Sequence, residues 1–415
     1  MNAIYKIFRT NPLICSLFVL SALNSPLLSD EPENEKQQPV EVRFKALLSR
    51  ESDHLSIHGL ENNAAITVLS TGPLKIANED DNAIVVNVPI GAEADAICVY
   101  LKEPVSPGTI LMNILSGIKE NEEIGQYGVK ELKSGVMGNV PYFYMLTEYV
   151  TKEKLYGQLK TSVFSSLNIT YYCQHDELGY KKSFQDVVES IGTSEYVKKV
   201  VEESIDFEKK EIDLFYVNDR PVGFLESYLF EPDENEKNLY THSNMVVLRS
   251  PVDMRVLEEI NDVYYDRESG ELLKGSFNSY DNDVPQHSLE WNKEMDSEKS
   301  SYVVVGTIAG KEFKKEFQDG DAVVSADFIM DRIQKELSSS KKNWSFKEFV
   351  SDFPDQIIST VIEKSNEKNE RGVMVKYKTN FMTIDYLFEN RGYDESRFTM
   401  GPFNILSKRA YFKKK

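Results

Sequence analysis

Residues 212–230 read IDLFYVNDRPVGFLESYLF. Two apolar and aromatic runs, Ile212–Val217 and Val222–Phe230, flank Asn218-Asp219-Arg220-Pro221, residue types that favour turns, so the stretch reads as a hairpin. The same texture continues downstream. Asn244–Arg249 and Met254–Tyr265 lead through Asp266-Arg267-Glu268-Ser269-Gly270 into Leu272–Tyr280. Ser301–Ile308 turns at Ala309-Gly310-Lys311 into Glu312–Phe317, and Gly372–Phe381, Thr383–Glu389 and Ser407–Phe412 close the chain. Helical spacing interrupts at Ala326–Leu337, where Phe328, Ile329, Ile333 and Leu337 share a face, and a second helix is expected over Phe346–Phe349. Residues 212–415 therefore predict a long-stranded antiparallel β-meander with one or two helices.

Upstream, residues 193–211 are charged and helical in pattern, a connector whose charge run reads as a solvated face and whose Val197, Val200 and Val201 could pack. Residues 43–192 mix strands and helices. Ala64–Ser70, Ala83–Val88 and Ala96–Leu101 are rich in Val, Ile and Ala. Ser106-Pro107 then supplies an N-cap and a proline at the first helical position, and Leu111, Ile114, Leu115 and Ile118 recur at helical spacing. After a glycine-punctuated stretch come an aromatic strand, Pro141–Val150, and one or two more strands over Leu155–Gln174. Ser183 is expected to cap a helix carrying Phe184, Val187, Val188 and Ile191, with Asp186 at its third position. The class expected is α+β: an N-terminal antiparallel sheet with flanking helices, then the β-meander.

That element order, ending in YYCQHDELGYKKSFQDVVESI, resembles the PsbP-like fold, which implies an α/β/α sandwich and a binding or assembly module. The C-terminal stretches FYVNDRPVGFLESYLF, YYDRESGELLKGSF and YLFENRGYDESRF resemble the LolA-like periplasmic half-barrels and the β domains that precede transglutaminase-like modules. No Cys-His-Asp module follows, so transglutaminase chemistry is not implied. Phe215, Phe224, Tyr228, Phe230, Tyr264, Phe277, Tyr302, Phe381 and Tyr386 are spread over the hairpins, and apolar residues on both strand faces would line a concavity for a lipid, another apolar ligand or a protein partner.

The N-terminus is expected to be a signal peptide over residues 1–29. Lys6 and Arg9 precede the apolar run Leu13–Leu23, which is followed by Asn24-Ser25-Pro26. The run is shorter than the roughly 20 residues of a membrane span, so the mature chain is expected in a periplasm or outside the cell. Residues 30–42 read as an acidic linker. With 48 Lys+Arg against 67 Asp+Glu and a net charge of −19, nucleic acid is not an expected partner. Cys98 and Cys173 lie in apolar, strand-like segments; they are either disulfide partners, as export would allow, or two small buried hydrophobes.

Catalytic motifs are sparse. His54 and His58 would suit a metal on a helix, but their surroundings alternate like a strand, placing them roughly 13 Å apart. His175, His242 and His287 stand alone and are expected to face solvent. Ser116-Gly117-Ile118-Lys119 and Ser338-Ser339-Ser340-Lys341 match S-x-x-K without its companion motifs, and Cys173 and His175 are neighbours in sequence rather than brought together in space. Asn78–Asn82 and Asp281-Asn282-Asp283 are acidic turns without the order of a calcium loop. Asn168 and Asn343 begin glycosylation sequons. No catalytic, cofactor-binding or metal-ligating residue is assigned. The expectation is an exported, non-enzymatic binding protein; the alternative is an exported hydrolase with an unrecognised carboxylate or Ser/Cys site.

Overall fold

The computed structural model describes residues 49–415 except 52–53, 59–64, 71–73, 80–82, 93, 102–104, 168, 195–196, 199–200, 203–204, 232–236, 250–254, 297–298, 319–322, 366–368, 390–391 and 401–402. The expected signal peptide, the acidic linker, Asn168 and part of the Asn78–Asn82 turn lie outside the described residues.

Two-residue turns set the architecture. Asn218–Asp219, Asn282–Asp283 and Ala309–Gly310 take positive φ at both positions (48° and 65°, 53° and 64°, 50° and 73°). This is the hairpin geometry whose twist matches that of the flanking strands, and it explains the Asn, Asp and Gly found there. The acidic turn Asp281-Asn282-Asp283 is one such hairpin, with the Asn282 side-chain oxygen accepting from the Val256 amide at 2.9 Å.

Strands β1 (Ser49–Glu51), β2 (His54–His58) and β3 (Ala65–Leu69) form a small antiparallel sheet. A seven-stranded sheet follows, made of β4 (Lys75–Glu79), β5 (Ala83–Pro89), β6 (Asp95–Leu101), β7 (Ile124–Met137), β8 (Val140–Thr151), β9 (Tyr156–Ser166) and β10 (Ile169–His175), in the order β4-β5-β6-β10-β9-β8-β7. Helix α1 (Pro107–Glu120) joins β6 to β7, and α2 (Lys181–Gly192) follows β10.

The third sheet has fourteen strands in one antiparallel meander that doubles back on itself. One arm runs outward through β11 (Lys209–Val217), β12 (Arg220–Phe230), β13 (Asn238–Arg249), β14 (Arg255–Asp266), β15 (Leu272–Asp281), β16 (Val284–Asp296), β17 (Lys299–Ile308) and β18 (Lys311–Gln318). Helix α3 (Ala326–Glu336) crosses to the other edge, and β19 (Asn343–Phe349), β20 (Ile357–Lys364), β21 (Val373–Lys378), β22 (Thr383–Glu389), β23 (Gly392–Met400) and β24 (Phe403–Lys414) return until β24 pairs with β11. Glu271 bridges Val324 and Val323 bridges Lys347, so the sheet curls until β15 and β19 meet across this two-residue splice.

The expected α+β class is therefore corrected. The described chain holds twenty-four strands against three helices of 14, 12 and 11 residues, a nearly all-sheet protein. Nor is the N-terminal part a sandwich with helices on both faces. Helix α2 covers one face, its Phe184, Val187, Val188 and Ile191 sharing a core with Val86, Phe164 and Tyr171. The other face, with Phe143, Met145 and Val163, packs together with α1 against Ile212, Leu214, Phe224, Val246 and Val256 on the outer face of the large sheet. An apolar sheet face must be buried, and here a second sheet does most of that work.

Smaller expectations are corrected too. The glycine-punctuated stretch, to which no element was assigned, is β7, the edge strand, and carries two register shifts against β8. Phe346–Phe349 is strand, not helix, because Trp344 and Glu348 alternate inward with period two. Ser183 lies inside α2, which begins after Tyr180 at φ 49° with no side-chain cap. Val197 and Val201 are fully buried, so that part of the connector is no solvated face. By contrast the Ser106 cap is present, its hydroxyl accepting from Gly108 N at 3.0 Å and Thr109 N at 3.3 Å.

The concave face is filled. Ile329, Ile333 and Leu337 of α3 share one cluster with Phe215, Met245, Val247, Trp344, Ile362, Tyr386 and Ile405, contributed by strands around the curl. Among the described residues no helix is long and apolar enough to cross a membrane.

Cys98 and Cys173 stand directly opposite each other on β6 and β10 and are joined by a disulfide. The row beside them stacks Tyr100, Tyr171, Phe164 and Tyr142 across four strands, with centroids 5.7, 4.4 and 5.6 Å apart. With the cysteines 75 positions apart in sequence, chain-entropy reasoning puts the cross-link at up to about 4.5 kcal/mol. A Cys98→Ala/Cys173→Ala variant is expected to lose on the order of 2–4 kcal/mol in urea unfolding; equal midpoints for the variant and the parent would show that the bridge adds nothing.

Candidate functional site

At the end of the curl where β11 begins and β24 ends, a cleft of about 600 Å³ opens beside α3. Its size falls within the range typical of ligand sites. Its floor is apolar: Leu229 on β12, Leu239 on β13, Tyr265 on β14 and Phe328 on α3. The β14–β15 turn makes room for that floor. Asp266 Oδ1 accepts from the amides of Glu268 (3.1 Å) and Ser269 (2.7 Å), and these bonds, with the Ser269 hydroxyl foremost, hold its carboxyl below the usual range. Gly270 then turns at φ 75°, and a β-carbon there would overlap the Phe328 ring. Only glycine suits both demands.

Helix α3 serves two surfaces. Ile329, Ile333 and Leu337 face the core, whereas Phe328, Asp331, Arg332 and Lys335, at i, i+3, i+4 and i+7, face the cleft. Arg267 from the turn and Lys414 from β24 complete a group of four cations at the rim, beside Glu208, Glu268 and Asp331. Their ion pairs are exposed: Arg267 with Glu231 at 2.5 Å, Arg332 with Glu336 at 3.0 Å and Lys414 with Glu208 at 3.7 Å. Pairs of this kind contribute roughly 0–1 kcal/mol and exchange readily for an incoming anion. Burial, then the hydrogen bond it donates to Glu231, pushes the Glu208 carboxyl above the ordinary range.

The lumen side of the curl carries buried acids. Glu348 is 2% exposed and accepts from Tyr377 OH at 3.0 Å; burial pushes its carboxyl up to about 7. Asp213, 3% exposed, accepts from the Tyr393 hydroxyl and is likewise raised to about 7, by burial and then by Glu211. Burial opposes the charge of Lys209, but Glu211, Asp331 and Asp327 together hold its ammonium well above the ordinary lysine value.

The residues singled out in the sequence lie elsewhere. The side chains of His54 and His58 are outside the described set; their backbone is strand. None of the other three histidines is a free solvent group. His175 Nδ1 is 3.1 Å from the Asp95 carbonyl, His287 Nδ1 is 2.8 Å from Ser279 Oγ, and His242 Nδ1 is 2.8 Å from Asp262. Tyr240 also donates to Asp262, and Ser276 does so at 3.4 Å, so in this cluster the serine is bonded to the acid rather than to the imidazole; Ser279 and His287, by contrast, form a serine–imidazole pair, with both side chains buried. Ser116 and Lys119 sit on α1, and Lys341 pairs with Glu336. Cys173 is held in the disulfide beside His175. Among the described residues no three metal-ligating side chains gather.

No protein-family model matches the chain. No curated protein matches it. Among solved structures, a beta-barrel-like protein of domain of unknown function DUF1849 from Brucella abortus aligns with a TM-score of 0.39 and 12% identity, over 50% of this chain and 98% of that one.

The lumen acids give stability a definite pH dependence. Glu348 stays protonated in the folded chain up to about pH 7, whereas the unfolded chain ionises from its ordinary value of 4.5, so stability falls between these values as pH rises. The stability difference between the parent and Glu348→Gln is expected to shift by on the order of 3 kcal/mol in favour of the variant from pH 4 to pH 8. A difference that is constant across that range in chemical unfolding would contradict this.

Proposed function

We propose that this chain is an exported, non-enzymatic binding protein that uses the α3 cleft to hold an apolar ligand with a negatively charged end. The single observation that carries the reading is the division of α3 into two stripes, one locked in the core and the other presenting Phe328, Arg332 and Lys335 over an apolar floor. A helix present only to fill the curl needs one apolar stripe; the second places cations around Leu229, Leu239 and Tyr265. Export is supported by the charged and apolar pattern of residues 1–29. The likeness of the C-terminal hairpins to half-barrel carrier domains supports a binding role.

Anilinonaphthalene sulfonate, an apolar fluorophore with one anionic group, provides the test. The full-length protein is expected to bind it with one-site stoichiometry, and Arg332→Glu/Lys335→Glu is expected to weaken binding at least about tenfold, a loss of about 1.4 kcal/mol or more. Unchanged affinity in a folded double variant would place the dye elsewhere and remove the cleft from the reading.

A further inference from the structure

The charges that line the α3 cleft are not equally committed. Of the seven charged residues there, five already have ion-pair partners. Arg267 meets Glu231 at 2.5 Å, Arg332 meets Glu336 at 3.0 Å, Lys414 meets Glu208 at 3.7 Å and Asp331 meets Lys209 at 3.8 Å. The other two are Glu268 and Lys335, both exposed, and among the described residues their side chains have no ion-pair or hydrogen-bond partner. A ligand gains most from charges that it does not have to win from a neighbour.

These two charges stand towards opposite ends of the cleft. Glu268 belongs to the β14–β15 turn, and the Phe328 ring packs over Gly270, two residues further on, at the first turn of α3. Lys335 follows Phe328 by seven residues on the same face of the helix, about 10 Å of rise. The surface they share is apolar, made of Leu229, Leu239, Tyr265 and Phe328.

The complementary molecule has an ammonium for Glu268, an anion for Lys335 and an apolar middle to match the floor. A zwitterionic lipid head group carries its two charges only a few atoms apart, too close for this spacing, and a fatty acid has no ammonium. A short peptide with free termini meets all three demands, because three extended residues span about 10 Å. We propose that the α3 cleft takes short apolar peptides by both ends, with the α-ammonium on Glu268, the α-carboxylate on Lys335 and the side chains on the floor. This rests on the binding role proposed above and names its ligand class.

Titration calorimetry of the full-length protein with Leu-Leu-Leu, its N-acetylated form and its C-amidated form tests the assignment. Each blocking group is expected to weaken binding at least about threefold, within what an exposed ion pair supplies. Glu268→Gln is expected to erase the effect of acetylation and keep that of amidation, and Lys335→Gln to do the reverse; both side chains are exposed, so both variants should fold. Equal affinities for the three peptides, or penalties that persist unchanged in the folded variants, would overturn the proposal. So would a protein that binds the anionic dye but none of the peptides, and in that case the broader binding role stands. A protein that binds neither dye nor peptide loses both readings.

Discussion

The large sheet depends on one pairing. Strands β11–β18 form a meander that runs outward from β11, β19–β24 form another that runs back, and they become one sheet where β24 pairs with β11. The pairing joins residues 209–217 to 403–414, and the entropy of closing so long a loop is offset by the full-length ladder between the two strands. The two faces of β11 show what the pairing supports. Phe215 looks into the lumen, whereas Ile212 and Leu214 join the core shared with the seven-stranded sheet. Lys210, fully buried on that outer side, meets Glu226 at 2.8 Å, and Glu226 also accepts from Ser166 at 2.8 Å and Tyr228 at 3.0 Å. Burial pushes the Lys210 ammonium down, opposed by Glu226. Removing one partner would strand the other charge, so this cluster resists piecemeal loss. Near it Glu202 accepts from Tyr411 at 3.1 Å and pairs with Lys413, tying β24 to the segment before β11.

How much of this was legible follows the range of each signal. The hairpin at Asn218–Asp219, the Ser106 cap and the apolar stripe of α1 are written within a few residues, as is that of α3 except for Phe328, which was expected beside Ile329, Ile333 and Leu337 and instead lines the cleft. Errors arose where tertiary context decided. Tyr180 precedes α2 in the left-handed region with no side-chain cap, its ring edge-on to that of His175 at 5.7 Å, a contact that helix-cap rules do not anticipate. Glu348 looks like a surface residue and is buried, because Tyr377, from a strand two places along the sheet, supplies its hydrogen bond. The α+β expectation failed for a related reason: an apolar face on β8 and β9 calls for a cover, but whether that cover is a helix or another sheet is not written in those strands.

The cleft was least legible of all. Its walls come from residues as far apart as Glu208 and Lys414, and its cations look in sequence like solvated charge. One signal was available: the spacing of Phe328, Asp331, Arg332 and Lys335 marks a second stripe on α3, beyond the apolar one that packs it. The aromatic residues expected to line a concavity mostly do other work. Phe215, Phe224, Tyr228, Phe277, Tyr302 and Tyr386 are each no more than 3% exposed, which makes them core, and the curl is filled by α3 rather than left open. The free edge of the sheet is guarded as well, since β18 sets Lys315 between Phe313 and Phe317, and an inward-facing charge discourages pairing with another chain.

The claim on which the rest stands is that β24 joins the two arms into one cooperative sheet. Calorimetry of the chain ended before Phe403, compared with the full-length protein, tests it most directly. The account expects the truncated chain to lose the cooperative unfolding peak of the large sheet, because β11 and β23 are both left with an unpaired edge and Lys413 no longer meets Glu202. A truncated chain that still unfolds in a single sharp transition, within a few degrees of the full-length protein, would contradict it.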